Sequence, residues 1–138
     1  MKNTAVISPN LWRKYTNIRK GRDIMKTSKN NIWNFNEKIE AEVCAEGVER
    51  KILAYADEMM CVENHFKEGA IGAMHHHPHT QITYVVSGKF EFEIDGVKKI
   101  VCAGDSMLKK DSIEHGCVCL EEGILLDIFT PMRDEFVK

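Results

Sequence analysis

Four of the six histidines in the chain fall within residues 75–79, in the run Met74-His75-His76-His77-Pro78-His79-Thr80-Gln81. Imidazoles gathered this closely carry a cost: protonated neighbours repel, and neutral rings removed from water need hydrogen-bond partners. A divalent cation removes both difficulties by binding the unprotonated nitrogens. In extended backbone, residues two apart project from one face, so His75 and His77 can grip one ion while His76 points away. His77 with His79 is a competing pair at the same spacing. Pro78 interrupts the ladder, and beyond it Gln81 can return an amide oxygen to the same centre. The plain alternative is a polar loop of surface histidines, and His76 and His79 are read that way. His65, near the end of an apolar run, reads as a satisfied rim residue.

A second candidate lies near the C-terminus. Asp127 interrupts the apolar run Gly123-Ile124-Leu125-Leu126-Asp127-Ile128-Phe129. Leu125 and Phe129 are its parity partners, so the carboxylate shares a face with apolar groups and needs either a partner or a task. An ion pair is one answer; a general acid or base is the other. The five cysteines (Cys44, Cys61, Cys102, Cys117, Cys119) include no C-x-x-C pair and read as reduced thiols, some used as small core residues. Cys117 and Cys119 share a strand face and form an alternative zinc pair, without the short spacing that structural zinc sites use.

The elements that position these residues are strands. Past Trp33 the pattern is strand-like nearly everywhere, after a polar connector over residues 36–46. Runs over 50–56 and 58–66 suit strands, and the β-branched run 80–86 closes on Ser87-Gly88, read as a turn. Phe90, Phe92 and Ile94 alternate with Lys89, Glu91, Glu93 and Asp95, giving one apolar and one solvated face. Asp95-Gly96 supplies the positive φ angles of a tight hairpin, with 97–102 as the returning strand. Ala103-Gly104-Asp105 makes the next corner, and two more strands are read near 116–120 and 123–130. A weak helical pattern covers residues 9–20.

A chain of 138 residues has room for one domain. No stretch approaches the ~20 apolar residues of a membrane span, and no apolar run stands behind the basic N-terminus as in a secretory signal. The expectation is a cytoplasmic protein that does not engage membranes. The net charge of −2 conceals an asymmetry: residues 1–30 hold eight Lys or Arg against Asp23 alone. Such an arm can meet nucleic acid, but with only Trp12 and Tyr15 between its charges it reads as a solvated leader, and a start at Met25 is also open. The division expected is a basic extension over 1–32, disordered or helical, and a folded domain over 33–138.

The spacing resembles the cupin superfamily. Gly69, His75-His76-His77, Gln81 and Gly88 fall in register with its first motif, and Gly104-Asp105 followed by His115 is similar to its second. The proline and glycine usual between them are Lys110 and Ser112 here. The resemblance implies a single all-β jelly-roll barrel of the RmlC-like kind, with a divalent ion held by His75, His77, Gln81 and His115. Zinc, nickel, manganese, iron and cobalt all suit three imidazoles and an amide.

More narrowly, Gly69-Ala70, His-x-His-Pro-His-x-Gln, Tyr84-Val85-Val86-Ser87-Gly88 and Asp127-Ile128-Phe129-Thr130-Pro131-Met132-Arg133 resemble the pectin-degradation cupins. These are unsaturated pyranuronate lyases, which open 4,5-unsaturated monouronates from pectin or alginate breakdown into linear keto sugar acids. The resemblance implies catalytic roles for Asp127 and Arg133, a pocket wall at Phe129, a small sugar-acid substrate and a homodimer. From the residues alone Phe129 is core, and Arg133 reads equally as a carboxylate clamp and as an ordinary surface arginine. A neutral first shell leaves the ion's charge uncompensated, which suits Lewis-acid chemistry better than oxygen chemistry. A cupin dioxygenase with a redox metal and a non-catalytic sugar-acid sensor remain the alternatives.

Overall fold

The computed structural model describes residues 23–138. The weak helical pattern over 9–20 and most of the basic segment lie outside the described residues. Eight strands carry the fold: β1 (Glu42–Ala45), β2 (Val48–Ala56), β3 (Met59–Phe66), β4 (Ile71–His75), β5 (Thr80–Ile94), β6 (Val97–Cys102), β7 (Ser106–Lys109) and β8 (His115–Thr130). Single 3-10 turns occupy Asn36–Lys38 and Asp134–Phe136. The polar connector expected over 36–46 therefore contains a turn and an edge strand, and β7 is a strand the sequence pattern did not reveal.

The two long strands β5 and β8 pair antiparallel along their whole length and organise everything else. The first half of β5 joins β7 on one side and the second half of β8 on the other, continuing through β3 and β2 to β1. The second half of β5 carries β6, while the first half of β8 carries β4. The result is the expected all-β jelly-roll, two curved layers sharing two bent strands.

The bends correct two expectations. Ser87-Gly88 is not a turn, and 116–120 and 123–130 are not separate strands; both segments run straight through. Gly88 has φ +84°, and register shifts cluster between Val85 and Phe90. A Cβ on Gly88 would lie 2.6 Å from the Glu121 carbonyl oxygen, and one on Gly123 would lie 2.1 Å from that of Ser87. Only glycine permits this crossing of backbones. The inserted residue also switches parity: Gln81, Thr83 and Val85 face inward before the bulge, and Phe90 and Phe92 after it.

The hairpin at Asp95-Gly96 forms as expected, with φ of +50° and +75°. The core falls into two clusters. Val48, Phe66, Val85, Phe90, Phe92, Cys117, Cys119 and Leu125 belong to one, with Phe66 edge-on to Phe90 at 5.4 Å. Ile52, Met60, Val62, Phe129 and Met132 belong to the other. Each large side chain buried here contributes roughly 1.5–3 kcal/mol. The cysteines are all free, and Cys117 and Cys119 serve as core residues. Part of the N-terminal segment lies against β2: Thr27 Oγ1 donates to the Ile52 carbonyl at 2.5 Å, and the Asn30 amide donates to that of Tyr55 at 2.9 Å.

Candidate functional site

Strand register assembles the site. His75 on β4 stands directly opposite His115 on β8, and their ring centroids are 4.3 Å apart. The His77 ring, just past β4, lies 5.0 Å from that of His115 and 5.6 Å from that of His75. One ligand nitrogen from each of the three lies within 4.8 Å of the other two. His79 is outside this group: its ring is turned to the Met132 carbonyl at 3.2 Å, so the competing His77–His79 pair does not form the cluster. His76 is exposed. His65 pairs with Glu63 at 2.6 Å on the barrel rim, as expected of it.

The rings are prepared for a cation. The Nδ1 of His75 donates to the Ala73 carbonyl at 2.7 Å, and that of His115 to the Ile113 carbonyl at 2.9 Å. Those bonds fix the tautomer, leaving each Nε2 with its lone pair. His115 Nε2 is buried and has no hydrogen-bond partner among the described residues. Burial also pushes the His115 pKa down to about 3 and lowers that of His77, which favours the neutral form of both rings.

Gln81 stands beside the three rings. Its Oε1 lies 2.9 Å from His77 Nε2, close to the ~3 Å between neighbouring donors that each stand about 2.1 Å from one ion. Its amide is oriented from behind: Nε2 donates to Asp127 Oδ1 at 2.8 Å and to Thr83 Oγ1 at 3.2 Å. The carbonyl end therefore faces the histidines. The three histidines could hold a divalent ion, and the Gln81 carbonyl oxygen stands beside them.

Asp127 is 7% exposed and lies beside this centre. Its Oδ1 accepts from Gln81 and from the Thr83 hydroxyl, and its Oδ2 accepts from Asn64 Nδ2 at 2.7 Å. Register explains the neighbours, since Thr83 faces Asp127 and Gln81 faces Phe129 across β5 and β8. Behind Thr83 is a residue that sequence reasoning missed. Lys109, opposite Gln81 on β7, is 2% exposed and donates to Thr83 Oγ1 at 2.7 Å. Its ammonium lies 4.7 Å from the Phe92 ring centre. The run Leu-Lys-Lys gives no sign that its first lysine points inward. Thr83 and Asn64 were missed as well; Thr83 shares parity with Gln81, and that was a usable signal.

Arg133 has a largely covered side chain, 11% exposed, that donates from Nε to Glu135 at 2.5 Å. Its guanidinium carbon stands 5.1 Å from the Phe129 ring centre and 4.5 Å from that of Phe136. These side chains border a cavity of about 370 Å³, within the range of small-molecule sites. Apolar walls come from Val48, Phe66, Phe92, Leu125, Phe129 and Phe136. The charged residues on its lining are Arg50, Lys109 and Arg133, against Asp127 alone. A chain with a net negative charge thus encloses a cavity of positive balance even before any metal ion is counted.

A profile of the Cupin domain family matches residues 62–129. The chain is 44% identical over 98 residues to the pectin degradation protein KdgF of Dickeya dadantii, covering 70% of this chain and 89% of that one. Among solved structures, it is similar to an RmlC-like cupin from Shewanella frigidimarina, with a TM-score of 0.76 and 39% identity over 80% of this chain and 99% of that one. KdgF from Halomonas sp. gives a TM-score of 0.74 and 35% identity over 78% and 99% of the two chains. The chain belongs to the cupin superfamily and, within it, to the pectin-degradation cupins.

Proposed function

We propose that this cupin opens 4,5-unsaturated monouronates to linear keto sugar acids in a metal-dependent reaction. The observation that carries the reading is the cavity itself, where two imidazoles of the three-histidine cluster, an anchored carboxylate and a preponderance of cations meet. That lining suits a small anionic sugar, and the likeness to KdgF proteins supports the same substrate class.

A divalent ion held by His75, His77, His115 and Gln81 would supply an electrophile that polarises substrate oxygens. The remaining work falls to side chains. Arg133 receives the carboxylate, its planar fork matching two oxygens as a lysine cannot. Asp127 removes a proton as the ring opens and returns one as the enol becomes a ketone, so the reaction needs no oxidant or reductant. Asn64, Thr83 and Gln81 hold that carboxylate in one orientation, which lowers the entropy cost of the transfer. Phe129 walls the cavity beside it.

The test follows the loss of ultraviolet absorbance from 4,5-unsaturated monouronates prepared with pectate or alginate lyase, with and without chelator. Chelator-sensitive, oxygen-independent turnover is the expected result. Oxygen uptake would favour a dioxygenase, and binding without turnover a sensor.

The reading includes a homodimer. Its support is an outward apolar row, in which Ile82 stands beside Leu108 and Ile128 on adjacent strands and Tyr84 beside Leu126. Sedimentation velocity at micromolar concentration tests it. Among the described residues no helix is long and apolar enough to cross a membrane.

A further inference from the structure

Of the three cavity cations, Arg50 has the weakest partner and no part in the chemistry above. The other two have close partners: Arg133 donates to Glu135, and Lys109 to Thr83. Arg50 differs. Its contact with Glu42 is at the outer limit of a hydrogen bond, 3.5 Å from Nη2 to Oε2, and Glu42 is shared with Lys26 at 3.7 Å. Its Nε is buried and has no hydrogen-bond partner among the described residues. A guanidinium donor withdrawn from water and left unpaired bears a desolvation cost, unless an acceptor arrives from elsewhere.

The position of Arg50 indicates where that acceptor belongs. On β2 it stands opposite Asn64, whose amide anchors Asp127. Its guanidinium carbon lies 3.9 Å from the ring centre of Phe136, the same ring that Arg133 approaches at 4.5 Å. Phe136 thus carries both guanidiniums, and both line the cavity. Of the carboxylates nearby, Asp127 is already bound by Asn64, Thr83 and Gln81, and Glu135 by Arg133.

We propose that Arg50 is a substrate-binding residue which, with Arg133, forms a two-guanidinium seat for the carboxylate of a monouronate. Two planar forks on one aromatic ring recognise a planar anion and discriminate against the neutral sugar of the same shape. The seat fixes the ring's anionic end on the Phe136 side of the cavity and leaves its opposite end to the histidines. This assignment rests on the uronate reading of the site for its ligand class.

The experiment uses the full chain in its metal-loaded form. Calorimetry measures the Kd for D-galacturonate and for D-galactose, and steady-state assays on a 4,5-unsaturated monouronate give KM and kcat. Arg50→Gln is expected to raise KM and the galacturonate Kd roughly tenfold or more, the size of a lost charge-assisted contact, while kcat stays within about threefold and galactose binding is unaltered. Arg50→Lys, which keeps a charge and a stem over Phe136, recovers only part of the loss. A folded, metal-loaded Arg50→Gln with wild-type Kd and KM overturns the proposal. Should Arg50→Gln fail to fold, wild-type values for Arg50→Lys overturn it equally. If the wild-type protein binds galacturonate without ring opening, and Arg50→Gln abolishes that binding, the seat stands and the ring-opening reading falls. If the wild-type protein neither binds galacturonate nor turns over, both fall.

Discussion

Lys109 reaches Asp127 through the hydroxyl of Thr83, which accepts from the ammonium at 2.7 Å and donates to the carboxylate. The two charges therefore compensate one another inside the barrel without touching. The compensation is incomplete: burial lowers the Lys109 pKa below 10.5, outweighing the attraction of Asp127.

The first prediction follows from that sign. At neutral pH both the folded and the unfolded chain hold the Lys109 proton, and the folded chain bears the whole cost of burying it. As pH rises toward 10.5 the folded chain releases that proton first, and the cost is shed. Replacing the pair together, Lys109→Met with Asp127→Leu, in the chelated protein should therefore raise stability at pH 7 by about 1–3 kcal/mol, with the gain shrinking as pH approaches the unfolded value, whereas Lys109→Met alone leaves Asp127 buried without its counter-charge. Denaturant melts at several pH values measure it. A loss of stability at pH 7, or a gain that grows with pH, contradicts this account.

A second prediction concerns the metal. Nε2 of His115 is buried without a partner among the described residues and is free to bind an ion, so binding should be strongly linked to folding. Adding zinc, nickel or manganese at about 100 times Kd should stabilise the chelated protein by about 2.7 kcal/mol. His115→Ala should abolish the shift and leave less than one equivalent of metal by elemental analysis. A shift that survives this substitution would place the ion elsewhere.

Much of this site was legible in the sequence because strand geometry is simple. His75 and His77 are two apart and join one cluster, and Asp127 and Phe129 are two apart and both line the cavity, as that periodicity requires. The group of His75, His77 and His115 was legible only through motif spacing, since nothing local to His115 says that β8 pairs with β4. Ser87-Gly88 was misread because a turn and a bulge both ask glycine for positive φ, and only the neighbouring strand tells them apart. Lys109 was missed because it sits between the exposed Leu108 and Lys110, whereas Arg50 shares parity with the core residues Val48 and Ile52, a signal the sequence did offer.

A third prediction separates catalysis from binding. Asp127→Asn keeps the volume of the side chain but turns an amide nitrogen toward donors from Asn64, Thr83 or Gln81. A mild destabilisation of about 1–2 kcal/mol is expected, together with a fall in kcat of about 10²–10⁴-fold. Galacturonate binding should persist. Retained turnover would remove Asp127 from proton transfer and leave it a structural acceptor.

The turn before His115 supplies the last prediction. Asp111 and Ser112 both have φ +56°, and the Ile113 amide closes the turn on the Lys110 carbonyl at 3.2 Å. Aspartate tolerates the left-handed region through its short polar side chain, whereas serine has little to offset the clash of Cβ with its own backbone. This is the position where the second cupin motif usually has glycine, so Ser112 maintains a strained turn immediately ahead of a metal ligand. Ser112→Gly should remove roughly 1–2 kcal/mol of strain and return part of it as unfolded-chain entropy, for a net gain of up to about 1 kcal/mol. Because Ile113 also fixes the His115 ring through its carbonyl, Ser112→Val should do the reverse, lowering both the melting temperature and the metal affinity. Equal stability of the three proteins would mean that the turn relaxes at no cost and that the ring is positioned by β8 alone.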